Sequence, residues 1–293
     1  MKNDNTNNTP KVTVIAPIYK VGRFIERCAE SLFSQSLQDV EYLFVNDATP
    51  DDSIEILNQV IDRHPERKDR VRILTHEQNK GLPAARNTGL AEAKCEYVFH
   101  CYSDDFVETD ILHDMYDKAI AEDTDIVYSD YFLSFEKSEK HMKQPSYDTP
   151  MQALRGMLHG KMKYNVWNKL VRRSLYDEGN VRFPNGYSMG EDMTMMLLFV
   201  YAHKVAYIPK AFYHYVQFNT NSITASYSDK HLEALHHNSL DIEQKLRAAC
   251  KEDIDLDLAC IKLDQKWPFL LNGKRSMFKL WRKWFPETNK FIW

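Results

Sequence analysis

The sequence predicts an α/β fold in which crossover helices connect the strands of a parallel sheet. Between residues 11 and 121, short runs rich in β-branched and aromatic residues alternate with segments whose apolar residues recur at helical spacing. The first run, Val12–Ile18, is almost continuously apolar, as expected of a strand buried on both faces. We therefore expect a doubly wound sheet covered by helices.

Four predicted strands build this sheet, at residues 12–18, 41–46, 71–75 and 97–101. The helices between them are predicted at residues 24–36, from about residue 51 onward, and at residues 82–93. At their carboxyl ends the strands carry Tyr19, Asp47, His76 and Asp104. Parallel strands end at the same sheet edge, where open α/β sheets bind their ligands. These side chains should therefore border one site.

Composition limits the classes of function. The chain has 293 residues, is 43% hydrophobic and carries a formal net charge of −4, which argues against nucleic-acid binding. No apolar run approaches the roughly 18 residues of a membrane span, and the N-terminus lacks the apolar core of a signal peptide. The five scattered cysteines show neither a metal-binding spacing nor a disulfide framework. We expect a cytoplasmic protein.

The chain divides into four predicted segments: a disordered polar tail at 1–10, a nucleotide-binding half at 11–108, an acceptor-binding half at 109–228, and a helical extension at 229–293. In the second half we expect a helix at 111–120, a strand at 126–135, a polar loop at 136–150, a helix at about 191–202, and separate strands at 205–208 and 212–217. Its many aromatic residues suit a part of the protein that binds a second substrate.

Asp104 and Asp105 follow the fourth strand directly. Adjacent carboxylates repel each other unless a cation lies beside them, and a hard divalent cation that also carries phosphate oxygens would meet that need. An acidic turn that caps the following helix explains the pair equally well. The residues alone leave both interpretations open.

Three further positions have a functional and a structural interpretation. Asp47 is either a hydrogen-bond acceptor for a base or ribose, or a turn residue. Arg86, on the helix that begins after Gly81, either meets a diphosphate or forms a structural ion pair. The pair Glu191–Asp192 either supplies favourable charge at a helix start or contains a general base.

The order of these pieces along the chain resembles family 2 glycosyltransferases of the bacterial surface-polysaccharide type. The resemblance covers residues 11–226 and rests on Val14–Tyr19, Val45–Ser53, Gly81–Gly89, Ser103–Asp105, Trp167–Leu170, Arg182–Pro184 and Gly190–Asp192. It implies the GT-A fold, with a Rossmann-like nucleotide-binding sheet, an acceptor-binding portion and, outside the match, C-terminal helices. The implied reaction moves a sugar from a nucleotide-sugar, usually a UDP-sugar, to a glycan or lipid-linked acceptor with inversion.

The resemblance also implies roles for residues that bind the donor. Pro17 and Tyr19 would lie against the base, and Asp47 would accept a hydrogen bond from it. Arg86 would help hold the nucleotide, and Asp104 would lie near the ribose and the donor sugar.

For the chemistry, the resemblance implies that Asp105 ligates Mn²⁺ or Mg²⁺ on the diphosphate. Asp192 would deprotonate the acceptor hydroxyl, with Glu191 as the alternative base. We therefore expect Asp105 and Asp192 to face one cavity. Tyr102 departs from the family pattern, which has an acidic residue at that place.

Alternative interpretations remain for the function and for the C-terminal segment. A sugar-nucleotide-binding protein without activity, or a nucleotidyltransferase, would also place acids at strand ends. The C-terminal segment 274–285 has Met277, Leu280, Trp281 and Trp284 on one helical face and basic residues on the other. It would either contact the inner face of the cell membrane or pack on the enzyme body.

Overall fold

The computed structural model describes residues 10–219, 228–271 and 274–291. The predicted disordered tail therefore lies outside the described residues, apart from Pro10. The strands are β1 (Val12–Ile18), β2 (Val40–Asn46), β3 (Val71–Thr75), β4 (Tyr97–His100), β5 (Phe106–Val107), β6 (Ile126–Ser134), β7 (Glu139–Met142), β8 (Lys169–Arg172) and β9 (Val205–Val216). The helices are α1 (Ile25–Phe33), α2 (Ser53–Arg63), α3 (Leu82–Glu92), α4 (Ile111–Glu122), α5 (Pro150–Leu158), α6 (Ser174–Glu178), α7 (Met195–Tyr201), α8 (Asp229–Ala249), α9 (Asp255–Leu271) and α10 (Arg275–Lys283).

One sheet runs through the protein in the order β3-β2-β1-β4-β8-β6-β9-β5, with β7 paired to β6. The first four of these strands are parallel, as predicted. Beyond β4 the sheet is mixed, because β8 runs antiparallel to both β4 and β6. The carboxyl ends of β1, β2 and β4 consequently lie together at one edge.

Two features of the predicted acceptor-binding half differ from prediction. The polar loop expected at 136–150 contains β7, an exposed edge strand whose polar side chains gave no periodic signal. The strands expected at 205–208 and 212–217 form the single strand β9, because a register shift opposite Ser129–Tyr131 accommodates the interrupting residues. The helical extension predicted at 229–293 contains α8, α9 and α10.

The three segments that follow the tail share one apolar core. Side chains from the parallel sheet, from α5 and α7, and from α8 and α9 pack in the same buried cluster. Arg155 of α5 also forms ion pairs with Glu252, which precedes α9, at 3.0 Å and with Asp257 of α9 at 3.3 Å. The C-terminal helices are thus fixed to the body of the protein.

Helix α10 packs through the apolar face that the sequence predicts. Trp284 and Phe285 are buried against Leu232 of α8 and Phe269 of α9, and Met277, Leu280 and Trp281 pack around them. This contact supports the second alternative for segment 274–285, in which the aromatic residues lie on the enzyme body. The basic residues of α10 are exposed. None of the helices in the described residues combines the length and apolar character needed to cross a membrane.

Candidate active site

A cavity of about 1220 Å³ opens at the carboxyl ends of β1, β2 and β4. Of the residues predicted for the site, six line it: Pro17, Tyr19, Asp47, Asp104, Glu191 and Asp192. Arg86 and Asp105 lie behind this lining and are fully buried. The sheet edge forms one wall, and the loop that carries Asp192, together with α8–α10, forms the other.

The two adjacent acids after β4 have different surroundings. Asp105 has no exposed surface: its Oδ2 accepts a hydrogen bond from the Tyr213 hydroxyl at 2.7 Å, and its Oδ1 accepts one from the Val216 N–H at 2.8 Å. Burial, together with the charge of Asp104, raises the pKa of Asp105 well above its usual range. The Asp105 carboxylate therefore joins the acid-bearing turn to β9.

Asp104 lines the cavity, where Asn219 donates a hydrogen bond to its Oδ2 at 2.7 Å. Burial raises the pKa of Asp104 as well. The structure therefore differs from the expectation that Asp105 and Asp192 face each other across the cavity. Asp104 and Asp192 line the cavity instead, whereas the hydrogen bonds to β9 hold Asp105 in the core.

The ligand atoms near Asp104 suit a hard divalent cation but are too few to hold it without a bound substrate. A carboxylate oxygen is a good ligand for Mg²⁺ or Mn²⁺, and such ions are often held by one or two carboxylates plus substrate phosphates and water. In residues 10–219, 228–271 and 274–291, no cluster of three or more His, Cys, Asp or Glu side chains could hold a metal by itself. An ion at Asp104 would need further ligands from a bound substrate.

Asp47 fixes part of the cavity wall through hydrogen bonds. Its Oδ1 accepts hydrogen bonds from His76 Nδ1 at 2.7 Å and from the Lys80 N–H at 2.8 Å, while its Oδ2 accepts one from the Gly81 N–H at 2.8 Å. Gly81 has φ = +88°, a conformation that favours glycine. Asp47 thus fixes the turn before α3 and still borders the cavity, as do Pro17 and Tyr19.

Glu191 and Asp192 begin the 3₁₀ helix Glu191–Thr194. Gly190, directly before it, has a left-handed backbone conformation. Burial and the charge of Asp192 raise the pKa of Glu191, which favours its protonated form. A protonated carboxyl cannot accept the proton of a substrate. Asp192 has the more exposed side chain, at 15% against 7%, and is the better placed of the two to act as a base.

Arg86 holds Asp192 from the side away from the cavity. Its Nη1 donates a hydrogen bond to Asp192 Oδ1 at 2.7 Å, and its Nη2 donates one to the Tyr102 hydroxyl at 2.5 Å. Burial alone would lower the pKa of Arg86, but the neighbouring Tyr102, Asp192 and Glu191 raise it. In this structure Arg86 contacts the candidate base rather than the cavity, and Tyr102 occupies the place where the family pattern has an acid.

Sequence reasoning missed two side chains that hold the cavity wall. Lys169 is fully buried, and its Nζ donates hydrogen bonds to the carbonyl groups of Lys163 and Asn165 at 2.9 and 2.7 Å. Burial lowers its pKa to about 7. Asn238 of α8 donates hydrogen bonds to the carbonyl groups of Tyr187 and Met189, at 3.1 and 2.9 Å. The motif Trp167–Leu170 contains Lys169 without indicating its burial, and none of the motifs contains Asn238.

Comparison with known proteins places this site in a family. The family model described as Glycosyl transferase family 2 matches residues 13–183, which is more than half of the chain. The "Putative glycosyltransferase EpsH" of Bacillus subtilis is 30% identical over 234 residues, a match that covers 77% of this chain and 66% of EpsH. The chain thus spans about two thirds of the length of that relative.

Solved structures show the same fold. The structure titled TarS 1–349 from S. aureus in complex with UDP-GlcNAc has a TM-score of 0.74 at 17% identity, covering 93% of this chain and 79% of TarS. The mannosyltransferase PcManGT from Pyrobaculum calidifontis, in complex with GDP-Man and Mn²⁺, has a TM-score of 0.56 at 16% identity, covering 93% of this chain and 78% of PcManGT. The predicted GT-A fold with C-terminal helices is confirmed.

Proposed function

Because this chain belongs to glycosyltransferase family 2, we propose that it transfers a sugar from a nucleotide-sugar, with UDP-sugars as the first candidates, to an acceptor hydroxyl with inversion at the anomeric carbon. The observation that carries this proposal is that Asp104 and Asp192 line the same cavity. An inverting transfer needs a base on one side of the reacting carbon and stabilisation of the leaving diphosphate on the other. TarS and PcManGT, which share the fold, were solved with nucleotide-sugars bound.

In the proposed reaction, the acceptor oxygen forms a bond to the anomeric carbon while the bond from that carbon to the nucleoside diphosphate breaks. The acceptor proton moves to Asp192 Oδ2, since Oδ1 is held by Arg86 at 2.7 Å. Mn²⁺ or Mg²⁺, when bound, would neutralise charge that develops on the diphosphate. Asp104 would hold that ion, and Asp105 would support Asp104 by fixing the turn to β9.

The donor base would lie against Pro17 and Tyr19, beside the turn that Asp47 fixes. Tyr19 is 41% exposed, which leaves its ring accessible for stacking on a nucleobase. Asp47 already accepts hydrogen bonds from two backbone N–H groups. It would therefore contribute to base binding mainly by fixing the shape of that turn.

The experiment that tests the proposal is product analysis with a panel of UDP-sugars and Mn²⁺. Release of UDP and a first-formed sugar product of inverted configuration, observed by proton NMR, would support the proposed transfer. Pyrophosphate release would instead identify a nucleotidyltransferase. Binding of donors without any turnover, in the presence of candidate acceptors, would identify a binding protein without activity.

We also propose that the enzyme acts at the cytoplasmic side of a membrane in a surface-polysaccharide pathway. The exposed face of α10 supports this, because Lys279 and Arg282 point outward beside the half-exposed Phe278. Each basic residue near an anionic bilayer contributes about 1 kcal/mol of attraction. Sedimentation with anionic vesicles tests this part separately.

A further inference from the structure

Helix α9 carries apolar side chains around its whole circumference. Leu258 and Ile261 pack in the main buried core, and Phe269 packs in the smaller cluster beside α10. A second row of apolar side chains recurs at intervals of three or four residues, which places the row on another face of the helix. This row, which we call the outer stripe, consists of Leu256, Cys260, Leu263, Trp267 and Leu271.

Most of the outer stripe is exposed. Leu256 is 67% exposed, Trp267 is 43% exposed and Leu271 is 70% exposed. Cys260 is exposed as well, and Leu263 is half-buried. None of these five side chains packs in the buried clusters that the described residues form. A helix that is apolar on all faces is normally covered on all of them, so the outer stripe marks a contact surface.

The two ends of the outer stripe carry opposite charges. Asp253 lies three residues before Leu256, and Lys274 lies three residues after Leu271. Both charged side chains are exposed, and within the described residues neither forms an ion pair. The four positions are symmetric about a point between residues 263 and 264. The outer stripe is therefore complementary to a second copy of itself that runs in the opposite direction.

These charges favour a second copy of the chain over a lipid surface. In an antiparallel pair, Asp253 of one copy lies near Lys274 of the other, whereas a parallel pair would bring the two copies of Asp253 together. Like charges in a contact oppose association. An anionic bilayer attracts basic residues and would repel the acidic residues within 252–255 at the start of α9.

We propose that two copies of this chain associate through the outer stripes of their α9 helices, which pack antiparallel about a two-fold axis between residues 263 and 264. A two-fold contact uses the same surface on both copies, so the association closes at a dimer. Helix α9 is about 25 Å long, and a contact of this length is small, so the dimer dissociates on dilution. The inference is independent of the proposed sugar transfer.

Sedimentation velocity of the full chain, up to about 100 µM, tests the association. We expect a dimer whose fraction rises with concentration. Leu271→Asp should weaken the dimer at least about tenfold, because it places a charge in an apolar contact. The matched control is Leu240→Asp, which should leave the dimer unchanged because Leu240 lies on α8, outside the outer stripe, and is 45% exposed.

Charge reversal tests the antiparallel direction. Asp253→Lys and Lys274→Asp should each weaken the dimer at least about threefold, because the pair occurs twice in each dimer. The double variant, which exchanges the two charges, should restore the dimer. A monomer at about 100 µM, an unchanged dimer in Leu271→Asp, or a double variant weaker than both single variants would overturn the inference.

Cross-linking tests the position of the axis. With Cys260→Ser in the same chain, Leu263→Cys should form an intermolecular disulfide with diamide as the oxidant, because the two copies of residue 263 lie about 1.5 Å apart along the helix axes. The two copies of Cys260 lie about 10 Å apart along these axes, so the unmodified protein should cross-link more slowly. Faster cross-linking through Cys260, or a monomer that binds phosphatidylcholine vesicles through Leu256 and Leu271, would overturn the inference.

Discussion

The two walls of the cavity are built in different ways. One wall lies at the carboxyl ends of β1, β2 and β4, and we call it the donor wall because we propose that the donor binds there. On this wall, Asp47 accepts hydrogen bonds from the backbone N–H groups of Lys80 and Gly81, and Ser103 donates a hydrogen bond to the carbonyl of Pro17 at 2.5 Å. These contacts follow from the register of parallel strands. On the opposite wall, Asp192 lies on a loop fixed by side chains from distant parts of the chain.

The side chains that fix the loop of Asp192 are few. Arg86 reaches Asp192 across 106 residues of sequence, Asn87 exchanges two hydrogen bonds with Phe183, and Asn238 holds two carbonyl groups. A wall held by few bonds depends strongly on each of them. The difference implies that substitutions on the wall of Asp192 should act mainly on turnover, and those on the donor wall mainly on donor affinity.

The largest effect is expected for Asp192→Asn. Loss of the base should lower kcat about 10²- to 10⁴-fold while donor affinity stays within about threefold. The matched control is Glu191→Gln, which should keep kcat within about tenfold because burial favours the protonated form of Glu191. Steady-state kinetics with the best donor of the panel would check both. A larger loss in Glu191→Gln than in Asp192→Asn would assign the base to Glu191.

The next largest effect is expected to distinguish the role of Asp104 from that of Asp105. Asp104→Asn should weaken Mn²⁺-dependent donor binding at least about tenfold, with little change in melting temperature. Asp105→Asn should instead destabilise the fold by about 1–3 kcal/mol, because one buried partner of Tyr213 and Val216 is lost. Calorimetric titration and thermal unfolding of both variants check this. Normal stability of Asp105→Asn together with lost metal dependence would restore Asp105 as the ligand.

A pH effect on stability is expected from Lys169. Its pKa is about 7 in the folded protein and 10.5 in the unfolded chain, so above pH 7 the unfolded state binds more protons and stability rises with pH up to about 10.5. The slope from this one group reaches at most about 1.4 kcal/mol per pH unit. Urea unfolding between pH 7 and 9.5 should show a smaller slope in Lys169→Met than in the exposed control Lys161→Met. Equal slopes would mean that Lys169 is charged in the folded state.

The smallest effect is expected on the surface of α10. Reversing the charges of Lys279 and Arg282 to Glu should reduce sedimentation with vesicles that contain phosphatidylserine and leave kcat unchanged. The same charge change at the exposed Lys94 and Lys140 serves as the control. An equal bound fraction for both double variants would exclude α10 as the contact.

The sequence was most informative where periodicity and topology act together. The almost continuous apolar run of β1 and the β-rich run of β3 predicted both strands with their observed bounds. The rule that parallel strands end at one edge brought Asp47 and Asp104 together. The residues alone left two interpretations for Glu191–Asp192, and only the order of motifs along the chain favoured Asp192 as a base. Local pattern and family order were sufficient for these features.

Other features depend on contacts that a local pattern does not contain. Which of Asp104 and Asp105 faces the cavity is decided by β9, more than 100 residues later in the chain. The pairing of Arg86 with Asp192 is equally remote, and Lys169 resembles a surface residue until three oxygen acceptors surround its ammonium group. Strand β7 forms because it pairs with β6 and not because its residues favour a strand.

The most direct test of the account is a crystal structure of the protein with UDP-GlcNAc and Mn²⁺, using the anomalous signal of manganese to locate the ion. We predict Mn²⁺ within coordination distance of an Asp104 oxygen, the diphosphate on the same ion, and the sugar on the side of the cavity that Asp192 lines. An ion bound to Asp105, or a nucleotide outside this cavity, would contradict it.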